Sequence, residues 1–140
     1  MTEESTPPDL MEVVHRQLEA VNRRDFDALL PYAAANVIYD TSPSGFGVYV
    51  GMAAIREFIE GYWNAFEDLR FELEEFVDLG NGVTFAVNRH HARPVGSTAP
   101  IQAREAQVTE WKDGLVVRIT VYIDIDEARA AAEGLAQERG

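Results

Sequence analysis

A small set of polar side chains falls where the surrounding pattern is apolar, and their types suit proton transfer. Asp40 ends the apolar run Val37, Ile38, Tyr39 and precedes a loop at residues 41–47 rich in Ser, Pro and Gly. A carboxylate between an apolar strand and a cavity mouth is raised in pKa by desolvation, toward useful base strength. The other reading of Asp40 is a cap for the turn at residues 41–44, a common task of aspartate. His91 is either an acid or base near neutral pH or a structural strand histidine. The Gln107 amide can donate to a carbonyl oxygen. Gln17 interrupts the apolar stripe of its helix and either faces a polar cavity or lies wet at the stripe's edge. Arg89 and Glu105 form a cross-strand ion pair, or Arg89 receives the carboxylate of an anionic ligand.

No spacing of His and carboxylates matches a metal motif, and no glycine-rich phosphate loop is present, so no metal and no cofactor is expected. The chain has no cysteine, which excludes thiolate nucleophiles and disulfide scaffolds and fits a cytoplasmic location.

The elements that must carry these residues follow from periodicity. Residues 1–8 read as a frayed polar tail. Leu10, Val14, Leu18 and Val21 give one face of a first helix over residues 10–22. Asp25 can cap a second helix through Phe26, Leu29 and Leu30, with Pro31 bending or dividing it. A short strand at residues 37–40 precedes the loop. Ile55, Phe58, Ile59, Tyr62, Trp63 and Phe66 then give the strongest helical stripe, with Trp63 or Tyr62 doubling as cavity wall. Leu69, Phe71 and Leu73 alternate with charged residues until Phe76 falls out of phase, which predicts a β-bulge near Glu74 and Glu75. Strands over 83–93, 101–111 and 115–124 follow as antiparallel hairpins, then a helical tail over 127–140 behind a single domain of residues 9–126. The fold class is α+β: a cone-shaped barrel of strongly bent, mostly antiparallel sheet wrapped around N-terminal helices.

Turn chemistry sets which side chains point inward. A three-residue loop with Gly114 in the left-handed position puts Trp111 opposite Leu115 and Gln107 opposite Ile119. Trp111, Thr109, Gln107 and Glu105 then face the interior. Pairing Arg93 near Ile101 puts Arg89 opposite Glu105, and places Arg89 and His91 inward with Val83, Phe85 and Val87. Such polar groups must be paired, wet, or lining a ligand cavity, because uncompensated burial costs several kcal/mol. Arg104, Ala106, Val108, Arg118, Thr120 and Tyr122 are left on the outer face, as a surface for an isologous homodimer.

Over 140 residues, 12 Lys and Arg stand against 24 Asp and Glu, a net charge of -12 that repels phosphate backbones and anionic lipid. Nucleic-acid and membrane partners are not expected.

The order Val13-Val14-His15-Arg16-Gln17-Leu18, then residues 22–26, then Val37-Ile38-Tyr39-Asp40, then residues 51–58, resembles the ketosteroid-isomerase-like and SnoaL-like proteins of the nuclear transport factor 2 superfamily. The resemblance spans Leu10 to Asp124 and implies a cone-shaped α+β fold, often dimeric through its outer sheet face. By that resemblance Asp40 matches the proton-shuttling aspartate, and Tyr32 a supporting tyrosine. Gln17 and Gln107 stand where a tyrosine and an aspartic acid hold the oxyanion, and Arg24 replaces a glycine. Residues and resemblance together point to a cofactor-independent isomerase, cyclase or dehydratase acting on a small apolar carbonyl compound. The alternative is a non-catalytic ligand-binding or dimerisation module of the same fold.

Overall fold

The computed structural model describes residues 9–140, so the tail expected at residues 1–8 lies outside the described residues. Asp9 opens the first helix, its carboxylate accepting from the Met11 N–H at 3.1 Å, and α1 runs over Leu10–Asn22. Arg24 follows with φ of 57°, a left-handed position that costs a non-glycine residue about 1 kcal/mol. Its guanidinium donates to the Phe66 carbonyl at 2.9 Å, which compensates for that strain. Asp25 does cap the next segment, accepting from the Ala28 N–H at 3.3 Å, but Phe26–Tyr32 winds as a 3-10 helix containing Pro31.

Strand β1 covers Ala33–Asp40 and β2 the short Val48–Val50, with a single 3-10 turn at Ser42–Ser44 between them. Helix α2, Met52–Asn64, buries Ile55 and Trp63 and stops before Phe66, which opens the long strand β3, Phe66–Gly80. Strands β4 (Val83–Pro94), β5 (Ile101–Lys112) and β6 (Leu115–Tyr122) complete one sheet in the order β2-β1-β6-β5-β4-β3. All neighbours are antiparallel except β1 with β6. In β3 the extra residue is Glu74, between Leu73 opposite Asn88 and Glu75 opposite Val87. Edges β2 and β3 do not pair with each other, so the sheet is an open bent cone and not a closed barrel.

Helices pack on both faces of the sheet. On the inner face Phe26, Val37, Ile55, Trp63, Trp111 and Val116 form a core with the apolar sides of α1 and α2. On the outer face the last helix, α3 (Ile125–Glu138), lays Ala128, Ala132 and Ala136 against Val83, Phe85, Val87, Ala106 and Val108. Asp124 starts that helix by accepting from the Glu127 N–H at 3.0 Å. The segment read as a tail is therefore half of a core.

Two expected registers differ from the structure. The β5–β6 turn has two residues, Asp113 and Gly114, both at positive φ (54° and 80°), so Lys112 pairs with Leu115 and Trp111 with Val116. Val117 is the bulge residue that restores the phase, leaving Gln107 opposite Val121, not Ile119. In the β4–β5 hairpin Ala92, not Arg93, pairs with Ile101, which puts Arg89 opposite Arg104 and Asn88 opposite Glu105. A one-residue slip reverses every side chain of a strand. Arg89 and His91 accordingly lie on the outer face, and Asn88 and His90 on the inner one.

Candidate functional site

Between α1, α2 and the inner face lies a cavity of about 310 Å³, within the range of small-ligand pockets. Its apolar wall comes from Val21 of α1, Phe58, Ile59 and Trp63 of α2, Phe71 of β3 and Val121 of β6. Phe46, 59% exposed, and Ile123, 64% exposed, stand at its rim. The polar side chains at the cavity are Tyr39, Tyr62, Asn88, His90, Glu105 and Gln107, with Thr41 and Ser44 from the loop.

Register concentrates these groups. His90 stands on β4 next but one to Asn88, and Glu105 and Gln107 hold the matching alternation on β5. His90 Nε2 lies 3.0 Å from Glu105 Oε1, but without the alignment of a hydrogen bond, and it is a buried atom with no hydrogen-bond partner among the described residues. Gln107 Nε2 donates to the same Glu105 oxygen at 3.2 Å. The Phe71 ring meets the His90 ring edge to face, centroids 4.2 Å apart, and fixes the imidazole plane. Burial, and after it the Glu105 carboxylate, pushes the Tyr39 phenol far above its ordinary pKa. The same two causes raise Tyr62. Both hydroxyls therefore stay protonated and able to donate. The pair His90–Glu105 can move a proton, and two neutral phenols can stabilise a negative oxygen.

Glu105, Gln107 and Trp63 are among the cavity residues. Asp40 is not. It lies on the outer side of the sheet with Thr120, its partner on β6, while Tyr39 takes the inner side. Its Oδ1 accepts from the Ser42 hydroxyl at 2.6 Å and the Ser42 N–H at 2.9 Å, and Oδ2 from Arg118 at 2.6 Å. The Ser42 hydroxyl above all, with the Ser42 N–H and Arg118, outweighs burial and lowers the carboxyl below its ordinary range. The turn-capping reading of Asp40 describes this geometry. Arg89 bonds Glu74 at 2.6 Å and Gln102 at 3.4 Å, and His91 Nε2 sits 2.9 Å from Glu72. Gln17 on α1 and Tyr32 on the 3-10 helix are half-buried and do not line the cavity. Sequence reasoning turned His90 away from the interior and singled out neither Asn88 nor Tyr39; the parity of the strands places all three at the cavity. Among the described residues no group of three His, Asp or Glu could hold a metal ion, and no helix is long and apolar enough to cross a membrane.

The SnoaL-like domain family matches residues 14–119. TerC co-crystallised with polyporic acid superposes with a TM-score of 0.72 at 16% identity, covering 89% of this chain and 97% of that one. A protein of ketosteroid-isomerase-like fold from Catenulispora acidiphila, in complex with trimethylamine, has a TM-score of 0.72 at 14% identity over 91% of this chain and 94% of that one. A protein described as a SnoaL-like polyketide cyclase from Shewanella denitrificans gives 0.69 at 12% identity, over 91% and 98% respectively. No curated protein sequence matches the chain. The family match over most of the cone, with these shared folds, establishes that the chain belongs to the SnoaL-like domain family.

Proposed function

We propose that the cavity performs cofactor-independent proton transfer on a small, mostly apolar compound with a carbonyl oxygen, the step shared by isomerases, cyclases and dehydratases. The observation that carries this reading is the pairing of His90 with Glu105, 3.0 Å apart, at the wall of an aromatic cavity. His90 takes the proton from the carbon next to the carbonyl, and the electron pair moves onto the oxygen. The Tyr39 and Tyr62 hydroxyls donate to that oxygen. Glu105 balances the imidazolium until the proton is returned to carbon. Asp40 has no part in these steps, because its carboxylate is spent on Ser42 and Arg118 on the other face. The solved relatives bind polyporic acid and trimethylamine, an acid and an amine, so the ligand class has to come from this chain's own side chains.

The test is deuterium uptake from D2O into 2-tetralone, followed by NMR. The protein accelerates uptake, and His90→Gln lowers the catalysed rate by about 10²-fold or more, the usual contribution of a positioned base. A His90→Gln protein as fast as the parent, with Asp40→Asn slow, overturns the assignment. Binding without turnover is the second reading, favoured by Gln107, which occupies Glu105 and cannot give up a proton. Saturable binding of the ketone with no uptake selects it.

A further inference from the structure

The cavity is unbalanced in charge. Three titrating side chains besides the phenols belong to residues at its wall: His90, Arg104 and Glu105. Arg104 contributes no charge to the interior, because its side chain is exposed on the outer face and its Nε donates to Glu74 at 2.7 Å. Glu105 is 19% exposed; its Oε1 receives the Gln107 amide, and no described residue donates a hydrogen bond to its Oε2. A carboxylate largely removed from water is costly without a counter-charge. His90 provides one only while it is protonated. Around Glu105 the wall is aromatic: Tyr39, Phe58, Tyr62, Trp63 and Phe71. Aromatic faces attract cations and repel anions. Tyr39 and Tyr62 remain neutral, so they keep those faces without adding charge. Outside, a net charge of -12 draws cations toward the molecule.

We propose that the ligand bears a protonated amine, seated with its nitrogen against Glu105 Oε2 and the ring faces of Tyr39, Tyr62 and Trp63. This rests on the cavity being the ligand site, and it leaves His90 as the group that moves the proton. An anionic ligand meets no fixed positive charge there among the described residues, since Arg89 is on the far side of the sheet, bound to Glu74.

Three probes of matched size separate the possibilities: 2-phenylethylamine, 2-phenylethanol and phenylacetate. Each is titrated into the folded protein, with binding read by calorimetry and by the fluorescence of Trp63, using Trp63→Phe to identify that signal. The amine is expected to bind at least tenfold more tightly than the alcohol, with the carboxylate weakest. Glu105→Gln, checked for folding by circular dichroism, brings amine and alcohol within twofold. Should that variant not fold, Glu105→Asp keeps the charge and must keep the order of the three. Equal binding of amine and alcohol to the parent protein, or an amine preference that survives Glu105→Gln, overturns the inference while leaving the cavity reading in place. If none of the three binds or alters Trp63 fluorescence, the cavity reading itself fails and takes the inference with it.

Discussion

Asp40 closes β1 with both carboxylate oxygens engaged, one by Ser42 and one by Arg118, across 78 residues of sequence. Because its pKa is lowered on folding, it stabilises the fold fully at pH values above the ordinary 3.8, and that contribution disappears as pH falls through the folded value. The Asp40 side chain is 12% exposed and its Arg118 partner 35%, so solvent screens part of the ion pair while the Ser42 bonds hold. Asp40→Asn is expected to cost about 2 kcal/mol at pH 7, the scale of hydrogen bonds to a charged group. Urea unfolding at pH 7 and pH 3 checks this: the gap between parent and variant narrows at the lower pH. A variant that loses deuterium uptake but not stability would reassign Asp40 to catalysis. His90 makes the opposite case, a polar side chain whose ring is packed against Phe71 while its Nε2 has no hydrogen-bond partner among the described residues. His90→Gln is accordingly expected to change rate more than stability.

At the scale of elements, two glycines give opposite outcomes for one substitution. Gly82 has φ of 75°, and a Cβ there meets the Trp111 carbonyl oxygen at 2.6 Å, so Gly82→Ala is expected to cost roughly 2 kcal/mol or more. Gly134 lies inside α3 with no atom within 4 Å of an added Cβ, so Gly134→Ala gains up to about 1 kcal/mol of helix propensity. Thermal unfolding of the two variants reads both signs. Much of the architecture was legible in the chain. The α2 stripe and the phase slip at Glu74 are consequences of one buried face, and they survive any uncertainty about partners. The site was less legible for a reason visible in β4. From Val83 to Asn88 every residue is buried, because α3 covers one side and the inner core the other. Alternation then carries no information about which side is inside. Val83, Phe85 and Val87 looked like the inner core, and they carried Arg89 and His91 inward with them. Adjacent histidines made the error complete, since His90 and His91 exchange faces under a one-residue shift. Glu105 and Gln107 escaped it because β6, with Val121 opposite Gln107, fixes their face independently.

For the molecule as a whole, α3 decides which surface is left for a second copy. Ala106 and Val108 lie beneath it, Arg104 is held by Glu74, and Arg118 by Asp40. The outer face stays open over β2, β1 and β6, where Val48 is 52% and Val50 60% exposed, and at the charged far ends of β3 to β5, where Glu72 and Arg104 are exposed. Val48 and Val50 are the exposed apolar residues there, so a second copy is expected to pair over that strip. Light scattering at micromolar concentration is expected to give twice the 15.6 kDa chain mass, and Val48→Lys with Val50→Lys to return the single mass. A parent protein at the single mass removes this expectation. The parallel pairing of β1 with β6 has a further consequence, in the order of events during synthesis. Besides the three-residue β2, the first strand has no partner in the sheet until the last strand exists. Contacts so distant in sequence form slowly, and a nascent chain gains them only after β6 has left the ribosome. Strand β1 must wait for its main partner while β3 to β5 assemble as hairpins, with α1 bonded to β3 through Asn22 and the Phe71 backbone. The cavity, with Val21 of α1 and Val121 of β6 in its wall, is expected to close last, and a chain cut before β6 is expected to form hairpins without a complete pocket.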